Sequence, residues 1–465
     1  MPRPTVEELR LTSFKSYRRA VLPLAPLTVL HGPAGVGKSN ALDALAVLSR
    51  LALGEEIADS LDGLPDRTGP LALPVRGGLD GCVPHGRDAI ILGCTVRSPH
   101  GRIRLDVVIR TDGPVRIARE SLTLDGRTLV DTGEQDVRHR RVNVCWHNDT
   151  RQGDIRAPFP SGTMITAQLP LRVAGSSAGE CLVLAAAEDL LTALREVFPL
   201  HPVPALMRGW ARADPQARLR GNAANISAVI ARLGNECPRR YGQLLRVVQS
   251  AAPHPLLGLT VAERESDEGV RRVLAVFDEG VLGRTGADQA SDGMLRHLAF
   301  AAVLLTGAGV LDLDVAAEVP WAHRQLTVLA EDLGAGLSTE QAASLLRLAR
   351  DMAERSQLRV LAALQEPAAV REALGGAGGA RPGEVRSGDT GSGDARSGEV
   401  RPGAVAVVEC RRDPDSGFTV LRPEGARVPV QGGRGEAADG VAEGERPGAD
   451  GAGSAAGGDG VDLEG

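Results

Sequence analysis

The segment from Gly32 to Ser39 has the residue types and spacing in this sequence that point most directly to chemistry. It reads Gly-Pro-Ala-Gly-Val-Gly-Lys-Ser, which fits the pattern Gly-x-x-x-x-Gly-Lys-Ser. Glycines let a backbone wrap around a phosphate and point successive N–H groups at it without collisions from Cβ atoms. Lys38 would add a mobile positive charge for the β- and γ-phosphates, and the Ser39 hydroxyl would bind Mg²⁺. The segment therefore predicts a binding loop for a nucleoside triphosphate, with ATP as the expected one.

The chain around this loop predicts the elements that phosphate binding requires. Leu27–Leu30 is typical of a short buried strand, and Leu42, Leu45 and Leu48 fall on one face of a helix after the loop. In the order strand, loop, helix, the helix points its positive end at a bound anion. The alternative, a chance match in a glycine-rich chain, does not explain this context. The predicted nucleotide contacts are Gly32, Pro33, Ala34, Gly35, Val36, Gly37, Lys38, Ser39 and Asn40.

Three later segments follow in an order that would complete such a site. Ser291, Asp292 and Gly293 stand at the start of a predicted helix, and Glu331-Asp332 ends the apolar run Leu326–Ala330. A second apolar run, Leu358–Leu364, ends at Gln365. Each segment also has a simpler interpretation. Ser, Asp and Gly favour helix starts and turns, the acid pair could be a solvated loop, and Gln365 could be an ordinary strand end.

Together these segments resemble the RecF/SMC-like and OLD-like branch of the ABC-type P-loop ATPases. The resemblance rests on five segments. They are an N-terminal Phe-Lys-Ser segment, the phosphate loop, a central helix, a signature loop, and an acid pair followed by Gly-Leu. It covers about residues 5 to 372 and a final hairpin. The matching segments are Leu11–Tyr17, Gly32–Asn40, Asn225–Leu233, Ser291–Gly293, Glu331–Asp332 and Gly336–Leu337.

The resemblance implies an α/β fold, an ABC-type head with an N-terminal β-rich layer, a helical middle subdomain and a disordered C-terminal tail. It also implies that two heads enclose two ATP molecules, each between the phosphate loop of one copy and Ser291–Gly293 of the other. In these roles Glu331 and Ser39 would bind Mg²⁺, Asp332 would orient the attacking water, and Gln365 would contact the γ-phosphate. ATP would close the dimer and hydrolysis would open it.

Three positions depart from the family pattern. Ala34 replaces the usual loop Asn, the acid pair has the order Glu331-Asp332, and Gln365 replaces a His. Asp332 is one methylene shorter than the usual water-activating Glu, which would weaken the orientation of water. Gln can hydrogen-bond a phosphate but carries no charge. The leading hypothesis is an ATPase that drives an unidentified partner in DNA maintenance or phage defence, and the alternative is an ATP-dependent scaffold without turnover.

Other classes fit the motifs less well. A transporter subunit would show a Leu-Ser-Gly-Gly-Gln signature and a switch His, and a simple P-loop kinase or GTPase would lack the late segments. Family members with nuclease activity have a metal-binding domain after the ATPase, and the residues after Pro367 do not resemble one. Any effector would then be a separately encoded chain.

Composition divides the chain into four predicted parts. Residues 1–374 would be the ATPase domain, with a helical subdomain at about 178–250, and 375–403 is a low-complexity insertion rich in Arg, Gly and Ser. Residues 404–424 would form a closing hairpin of the ATPase domain, and 425–465 a disordered acidic, Gly-rich tail. Within the first part we expect strands at Val6–Thr12, Ala89–Val96 and Ile103–Arg110, and helices at Met294–Leu305 and after a capping box of Ser338 and Gln341.

Charge and cysteine content place few further limits on function. The 465 residues carry a net charge of −6, all of it from Glu424 onward, so no basic excess indicates nucleic acid. The six cysteines form no Cys-x-x-Cys pair and read as reduced thiols. Neither a leader nor an apolar run of about 18 residues appears. We therefore expect a cytoplasmic protein without a membrane partner, whose partners are a second copy and either DNA or the separate effector.

Overall fold

The computed structural model describes residues 3–62, 75–151, 153–265, 269–312, 325–355, 358–374 and 405–424, all within one compact unit. The predicted low-complexity insertion, 375–403, and the predicted tail, 425–465, lie outside these residues. The strands are β1 (Thr5–Phe14), β2 (Tyr17–Pro23), β3 (Leu27–His31), β4 (Ala89–Ser98), β5 (Gly101–Arg110), β6 (Arg116–Leu124), β7 (Arg127–Asp136), β8 (Arg141–Trp146), β9 (Ile155–Pro160), β10 (Val197–Leu200), β11 (Ala211–Arg212), β12 (Gly258–Glu265), β13 (Arg271–Asp278), β14 (Arg284–Gly286), β15 (Leu326–Ala330), β16 (Leu358–Leu364), β17 (Val405–Arg412) and β18 (Thr419–Pro423). The helices are α1 (Lys38–Ala52), α2 (Ile57–Asp62), α3 (Gly78–Cys82), α4 (Ile165–Gln168), α5 (Ala178–Arg195), α6 (Pro204–Met207), α7 (Ile226–Glu236), α8 (Pro238–Ala251), α9 (Asp292–Thr306), α10 (Thr339–Arg355) and α11 (Pro367–Leu374).

A 14-stranded sheet runs through the molecule in the order β10-β15-β16-β3-β17-β18-β2-β1-β4-β5-β6-β7-β8-β9. Its first five strands are parallel to one another. β18 pairs antiparallel with β17 and parallel with β2. From β2 through β1 and β4 to β9, neighbouring strands are antiparallel. A smaller sheet has the order β11-β13-β12, and β14 pairs with β13. The predicted α/β class with a β-rich layer is confirmed.

The parallel strands lie between two hydrophobic clusters. Along β3, Leu27 and Val29 belong to the cluster with α7 to α10, while Leu30 belongs to the cluster with α1 and α5. In β16 the same alternation places Leu361 in the cluster with α1 and Val360 in the other. Both faces of these strands are covered, so their sequences are continuous apolar runs rather than alternating ones.

Two helix starts follow from local side-chain chemistry. Ser338 Oγ accepts a hydrogen bond from Gln341 N at 3.2 Å, and Gln341 Oε1 accepts one from Ser338 N at 2.9 Å, which confirms the predicted capping box. Ser291 Oγ likewise accepts a hydrogen bond from Met294 N at 3.2 Å, so α9 starts where the sequence predicted a helix. Caps of this kind fix where each helix begins and therefore which residues face the sheet edge.

The stretch at 178–250, predicted to be mainly helical, contains α5 to α8, and the short strands β10 and β11 interrupt it. β10 pairs in parallel with β15, with Leu200 opposite Ala330. Its four residues form a short apolar run, and periodicity does not separate so short a strand from a buried helical turn. Sequence analysis also missed β2, the antiparallel strands β6 to β9, and the smaller sheet.

Candidate functional site

The phosphate loop joins the end of β3 to the start of α1, and three of its glycines have left-handed backbone angles. The φ values are +144° at Gly32, +79° at Gly35 and +103° at Gly37. A Cβ atom at Gly32 would collide with the carbonyl oxygen of Cys410, and Gly37 is the N-cap of α1. The loop therefore needs glycine both for its backbone angles and for its close packing. Its curved backbone opens at the positive end of α1, which suits an anion.

Lys38 rests on the loop itself. Its Nζ donates hydrogen bonds to the carbonyl oxygens of Gly32 at 2.7 Å and Pro33 at 2.8 Å, and the side chain is buried. Burial lowers the pKa of this ammonium, while the nearby Asp332 acts to raise it. Burial also raises the pKa of the Cys410 thiol to about 12, so this neighbour is neutral at pH 7. The Lys38 ammonium is therefore a poorly solvated group at the loop, and an anionic ligand would stabilise its charged form.

Residues from both ends of the described chain hold the loop in place. Tyr17 is fully buried, and its hydroxyl donates to Gly37 O at 3.1 Å. Thr419, at the start of β18, donates to Val36 O at 2.7 Å, and its hydroxyl lies 2.7 Å from that of Ser16. Ser16 and Tyr17 belong to the segment Leu11–Tyr17 that carries the family resemblance, whereas sequence analysis missed Thr419. No local pattern links Ser16 to Thr419, because they lie 403 positions apart.

Gly37→Ala should destabilise the protein and remove nucleotide binding. The new Cβ would lie 2.5 Å from Thr419 Oγ1 and 2.7 Å from Ser16 Oγ, at a backbone angle that alanine rarely adopts. We expect the free energy of unfolding in urea, without nucleotide, to fall by about 2–4 kcal/mol. Gly35→Ala is the matched control, because its Cβ would meet no atom within 4 Å, and it should cost only about 1–2 kcal/mol. Equal losses in the two variants would contradict the packing argument.

The acid pair follows β15 at the same sheet edge as the loop. The carboxyl ends of β15, β16 and β3 are neighbours because the three strands are parallel and adjacent. Asp332 lies close enough to Lys38 to favour its charged form. Asp332 also has a φ of +48°, which is uncommon for a residue with a side chain and is typical of functional or tightly constrained positions.

An arginine that sequence analysis missed contacts this acid pair. Arg76 donates a short hydrogen bond to Glu331 Oε1 and two longer ones, 3.1 and 3.2 Å, to Asp43 on α1. Lys15 Nζ lies 2.8 Å from Asp43 and from the Arg76 carbonyl oxygen. Although burial acts against it, Asp43 and Glu331 raise the pKa of Arg76. Arg76 thereby links α1 to Glu331, which lies 255 positions after Arg76 in the sequence.

His201 is a second residue that sequence analysis missed at this edge. It follows β10, and its Nδ1 lies 3.4 Å from Glu331 Oε2. The side-chain donor atoms of His201, Glu331 and Asp332 all lie within 4.8 Å of one another. The chain places these three groups together only through the pairing of β10 with β15, which no sequence motif indicated.

Ser291, Asp292 and Gly293 begin α9 and face the loop that follows the acid pair. A Cβ atom at Gly293 would collide with the carbonyl oxygen of Gly336, so the two backbones are in contact. Asp292 Oδ1 accepts a hydrogen bond from Arg208 at 2.6 Å. Among the described residues, no hydrogen bond joins Ser291–Gly293 to the phosphate loop of the same chain. The structure thus brings this segment to Gly336 and leaves Ser291 and Asp292 exposed.

Gln365 is exposed at the end of β16, which lies next to β3, the strand that precedes the phosphate loop. Leu364, the residue before it, pairs with His31 at the end of β3, so Gln365 follows β16 where Gly32 follows β3. Its side chain makes no hydrogen bond within the described part of the chain. The predicted role of Gln365 as a γ-phosphate contact stays a prediction.

The oxygen donors at this edge fit a hard divalent cation. Ser39 supplies a half-buried hydroxyl at the start of α1, and the Glu331 side chain is only 15% exposed. Hydroxyl and carboxylate oxygens are ligands that Mg²⁺ accepts, together with water and nucleotide phosphates. The donor atoms of Ser39 and Glu331 fit the predicted Mg²⁺ ligands, and their role in binding Mg²⁺ stays a prediction.

Comparisons with known proteins show a likeness in fold. No protein-family model and no curated protein matches the sequence. The chain is similar in fold to SMC heads and to RecF. An SMC head solved with the C-winged helix domain of ScpA is 13% identical, with a TM-score of 0.40, over 90% of this chain and 97% of that one. The SMC head domain from Thermotoga maritima is 11% identical, with a TM-score of 0.37, over 90% and 98%.

RecF, in a structure described as RecF-ATP in the RecFOR pathway, is 9% identical, with a TM-score of 0.34, over 90% of this chain and 98% of that one. At these identities the likeness extends to the fold alone. The predicted resemblance to the RecF/SMC-like branch is confirmed at that level, and the OLD-like part stays a prediction. Within the described residues, no helix is long and apolar enough to cross a membrane.

Proposed function

We propose that this chain binds ATP at Gly32–Ser39 and hydrolyses it slowly in a homodimer that ATP closes. The observation that carries the proposal is the phosphate loop itself. Its glycines are required by backbone angle and packing, and Lys38 is buried against its carbonyl groups with a lowered pKa. In the part of the chain that the structure describes, no carboxylate accepts a hydrogen bond from Lys38 Nζ, and a buried ammonium in this setting favours an anionic ligand. The acid pair at the same edge supplies the groups for a cation and for water.

The position of Ser291–Gly293 supports the proposed dimer. Ser291 and Asp292 are exposed at the N-terminus of α9, and within the described ranges the segment makes no hydrogen bond to its own phosphate loop. Backbone N–H groups and the Ser291 hydroxyl at a helix start suit a γ-phosphate presented by a second copy. A two-fold arrangement would then form two equivalent composite sites. The proposed setting is the cytoplasm, with DNA or a separately encoded effector as the driven partner in DNA maintenance or phage defence.

A scaffold that binds ATP without turnover is the second candidate. Asp332 is short and has an unusual φ of +48°, and Arg76 already engages Glu331. Both features would slow hydrolysis, since an attacking water needs a carboxylate at the correct distance and orientation. The two candidates differ in whether a longer side chain at position 332 produces turnover.

Asp332→Glu should raise steady-state ATP hydrolysis about 10- to 100-fold. Glutamate has one methylene more than aspartate, so its carboxylate would reach the attacking water at the distance usual for this family. The measurement is phosphate release by the intact chain with Mg²⁺, with ATP binding measured alongside by calorimetry. Asp278→Glu, which adds the same methylene at the end of β13, is the control and should leave turnover unchanged. Binding without turnover in both the wild type and Asp332→Glu would leave the scaffold as the function. Absence of ATP binding in the wild type would refute both candidates.

A further inference from the structure

One face of the smaller sheet carries three arginines in a row. β13 lies between β11 and β12, and Arg272 of β13 is directly opposite both Arg212 and Arg264. Residues that lie directly opposite each other in an antiparallel pair have their side chains on the same face of the sheet. Neighbouring strands are about 4.8 Å apart, so the three arginine positions span about 10 Å.

The alternation of burial along β12 shows that this row faces solvent. Leu259 lies opposite Phe277, and both side chains are buried on the face that packs into the core. Arg264 is on the other face, because it is an odd number of residues from Leu259, and it is exposed. Glu263 points the opposite way from Arg264 and forms an ion pair of 3.8 Å with Arg271. The two signs of charge are therefore separated between the two faces.

The three arginines lack a negative partner within the described part of the chain, where no carboxylate forms an ion pair with Arg212, Arg264 or Arg272. The guanidinium carbon of Arg264 lies 4.2 Å from the centre of the Trp210 ring, and Arg272 Nη1 donates to Trp210 O at 3.4 Å. These contacts orient two of the arginines but supply no negative charge. Since like charges directly opposite each other destabilise a sheet, a ligand with several negative charges would remove this cost.

The surroundings of the row favour a protein ligand over a nucleic acid. Leu206 is 46% exposed, and Gly209 N donates to Leu206 O at 3.4 Å, so one hydrogen-bonded turn separates Leu206 from Trp210. An apolar side chain at this position suits a protein and not a phosphate backbone. Arg264 covers one face of the Trp210 ring, on which a base would otherwise stack. The net charge of −6 also differs from the basic excess typical of nucleic-acid-binding proteins.

We propose that Leu206, Trp210, Arg212, Arg264 and Arg272, here called the arginine face, bind an acidic amphipathic helix of a partner protein. Side chains three or four residues apart on a helix are about 5–6 Å from each other, and seven residues rise about 10 Å. Carboxylates at positions i, i+4 and i+7 would therefore match the three strands. Arginine binds a carboxylate through two parallel hydrogen bonds. The inference rests on the proposed function in that this helix would belong to the separately encoded effector.

The arginine face is connected to the segment that would meet the nucleotide of a second copy. Arg208, between Leu206 and Trp210 in the chain, donates to Asp292 Oδ1 at 2.6 Å and to Ala290 O at 2.8 Å. A helix that presses on Leu206 and Trp210 would act on the start of α9 through these two hydrogen bonds. Binding of the effector and closure of the dimer would then influence each other.

The test measures fluorescence anisotropy of a labelled synthetic helical peptide, with glutamates at i, i+4 and i+7 and a leucine one turn further, titrated with the intact chain without nucleotide. We expect binding at least about tenfold tighter than that of a peptide of the same composition whose glutamates are spread around the helix. The double variant Arg212→Gln/Arg264→Gln should weaken binding of the patterned peptide at least about tenfold. Arg271→Gln is the matched control, because Arg271 is next to Arg272 but points to the opposite face, and it should stay within about threefold of the wild type.

Thermal unfolding of the same proteins distinguishes a binding role from a structural one. Both substituted arginines are exposed, and the double variant removes charge repulsion from the row. It should therefore unfold at the temperature of the wild type or above it. A double variant that unfolds at a clearly lower temperature would show that the arginines stabilise the sheet, and the inference would be wrong.

Three binding results would also overturn the inference. The first is equal affinity for the two peptides, or equal affinity of the wild type and the double variant for the patterned peptide. The second is a single strand of thymidines that binds more tightly than the patterned peptide and displaces it, which would assign the face to nucleic acid. The third is a dimer, detected by sedimentation without peptide or nucleotide, that the double variant loses, which would assign the face to contacts between copies.

ATP binding by the same proteins in Mg²⁺ separates failure of this inference from failure of the proposed function. If ATP binds and the patterned peptide does not, the arginine face is not the partner site and the proposed function stands. If the peptide binds as expected and ATP does not, the proposed function is wrong and the arginine face remains a site for an acidic helix.

Discussion

Lys38→Ala should weaken ATP binding about 100-fold and abolish turnover. Hydrogen bonds to charged groups contribute about 1.5–3 kcal/mol each, and 1.4 kcal/mol is tenfold in affinity. In the free protein Nζ is bound to two loop carbonyl oxygens, and ATP would offer phosphate oxygens in their place. The carbonyl groups lose a partner in the variant, but the glycine packing that shapes the loop does not involve the lysine. The loop should therefore keep its backbone while losing the charge that phosphate needs.

The measurement is calorimetric titration of the intact chain with a slowly hydrolysed ATP analogue and Mg²⁺. Lys15→Ala is the natural control, because Lys15 is the only other lysine and pairs with Asp43 rather than with the loop. Its affinity should stay within about threefold of the wild type. Thermal unfolding without nucleotide shows whether each variant is folded. A folded Lys38→Ala that binds ATP as tightly as the wild type would refute the assignment of the loop.

Ser291→Asp should abolish turnover while leaving ATP binding by a single copy nearly unchanged. Aspartate is as good an N-cap as serine, so α9 should still begin at the same residue. The new carboxylate would, however, point at the γ-phosphate held by the second copy and repel it. We expect at least a 100-fold loss of turnover, about the size that one misplaced charge-stabilising group causes. Ser177→Asp at the N-cap of α5 is the control and should be active.

Mixing the two inactive variants tests the composite site directly. A dimer of one Lys38→Ala copy and one Ser291→Asp copy has one site with both defects and one site with neither. An equal mixture should therefore recover about a quarter of wild-type turnover if the two-fold model is correct. No recovery, with both variants folded and Ser291→Asp still binding ATP, would show that Ser291 does not act on a second copy.

The sequence predicted the elements whose signals are local. β3, the phosphate loop and α1 follow from an apolar run, three glycines and a helical repeat. β15 and β16 were recognised as continuous apolar runs because both of their faces are buried. The capping box of Ser338 and Gln341 was found because a cap needs only residues three positions apart.

The elements that sequence analysis missed depend on pairing between distant segments. β10 is too short for a hydrophobic period to be recognised in its sequence. It forms a strand because it pairs with β15. The antiparallel strands β6 to β9 alternate in burial, but polar and apolar positions were not regular enough to be recognised without their partners. Tertiary context decides such strands, since each is stable only when its neighbour is present.

By itself the sequence determined the chemistry of the phosphate loop, because eight consecutive residues hold its glycines, its lysine and its serine. It also indicated which segments would meet there, through the order of Ser291–Gly293 and Glu331–Asp332. Only the tertiary structure decided which groups approach the acid pair. His201 reaches Glu331 because the parallel order of β10, β15, β16 and β3 gathers their carboxyl ends at one edge. Arg76 reaches Glu331 from the segment before α3, where Asp43 of α1 holds its guanidinium. Contacts of this kind depend on strand order, which no short stretch of sequence encodes.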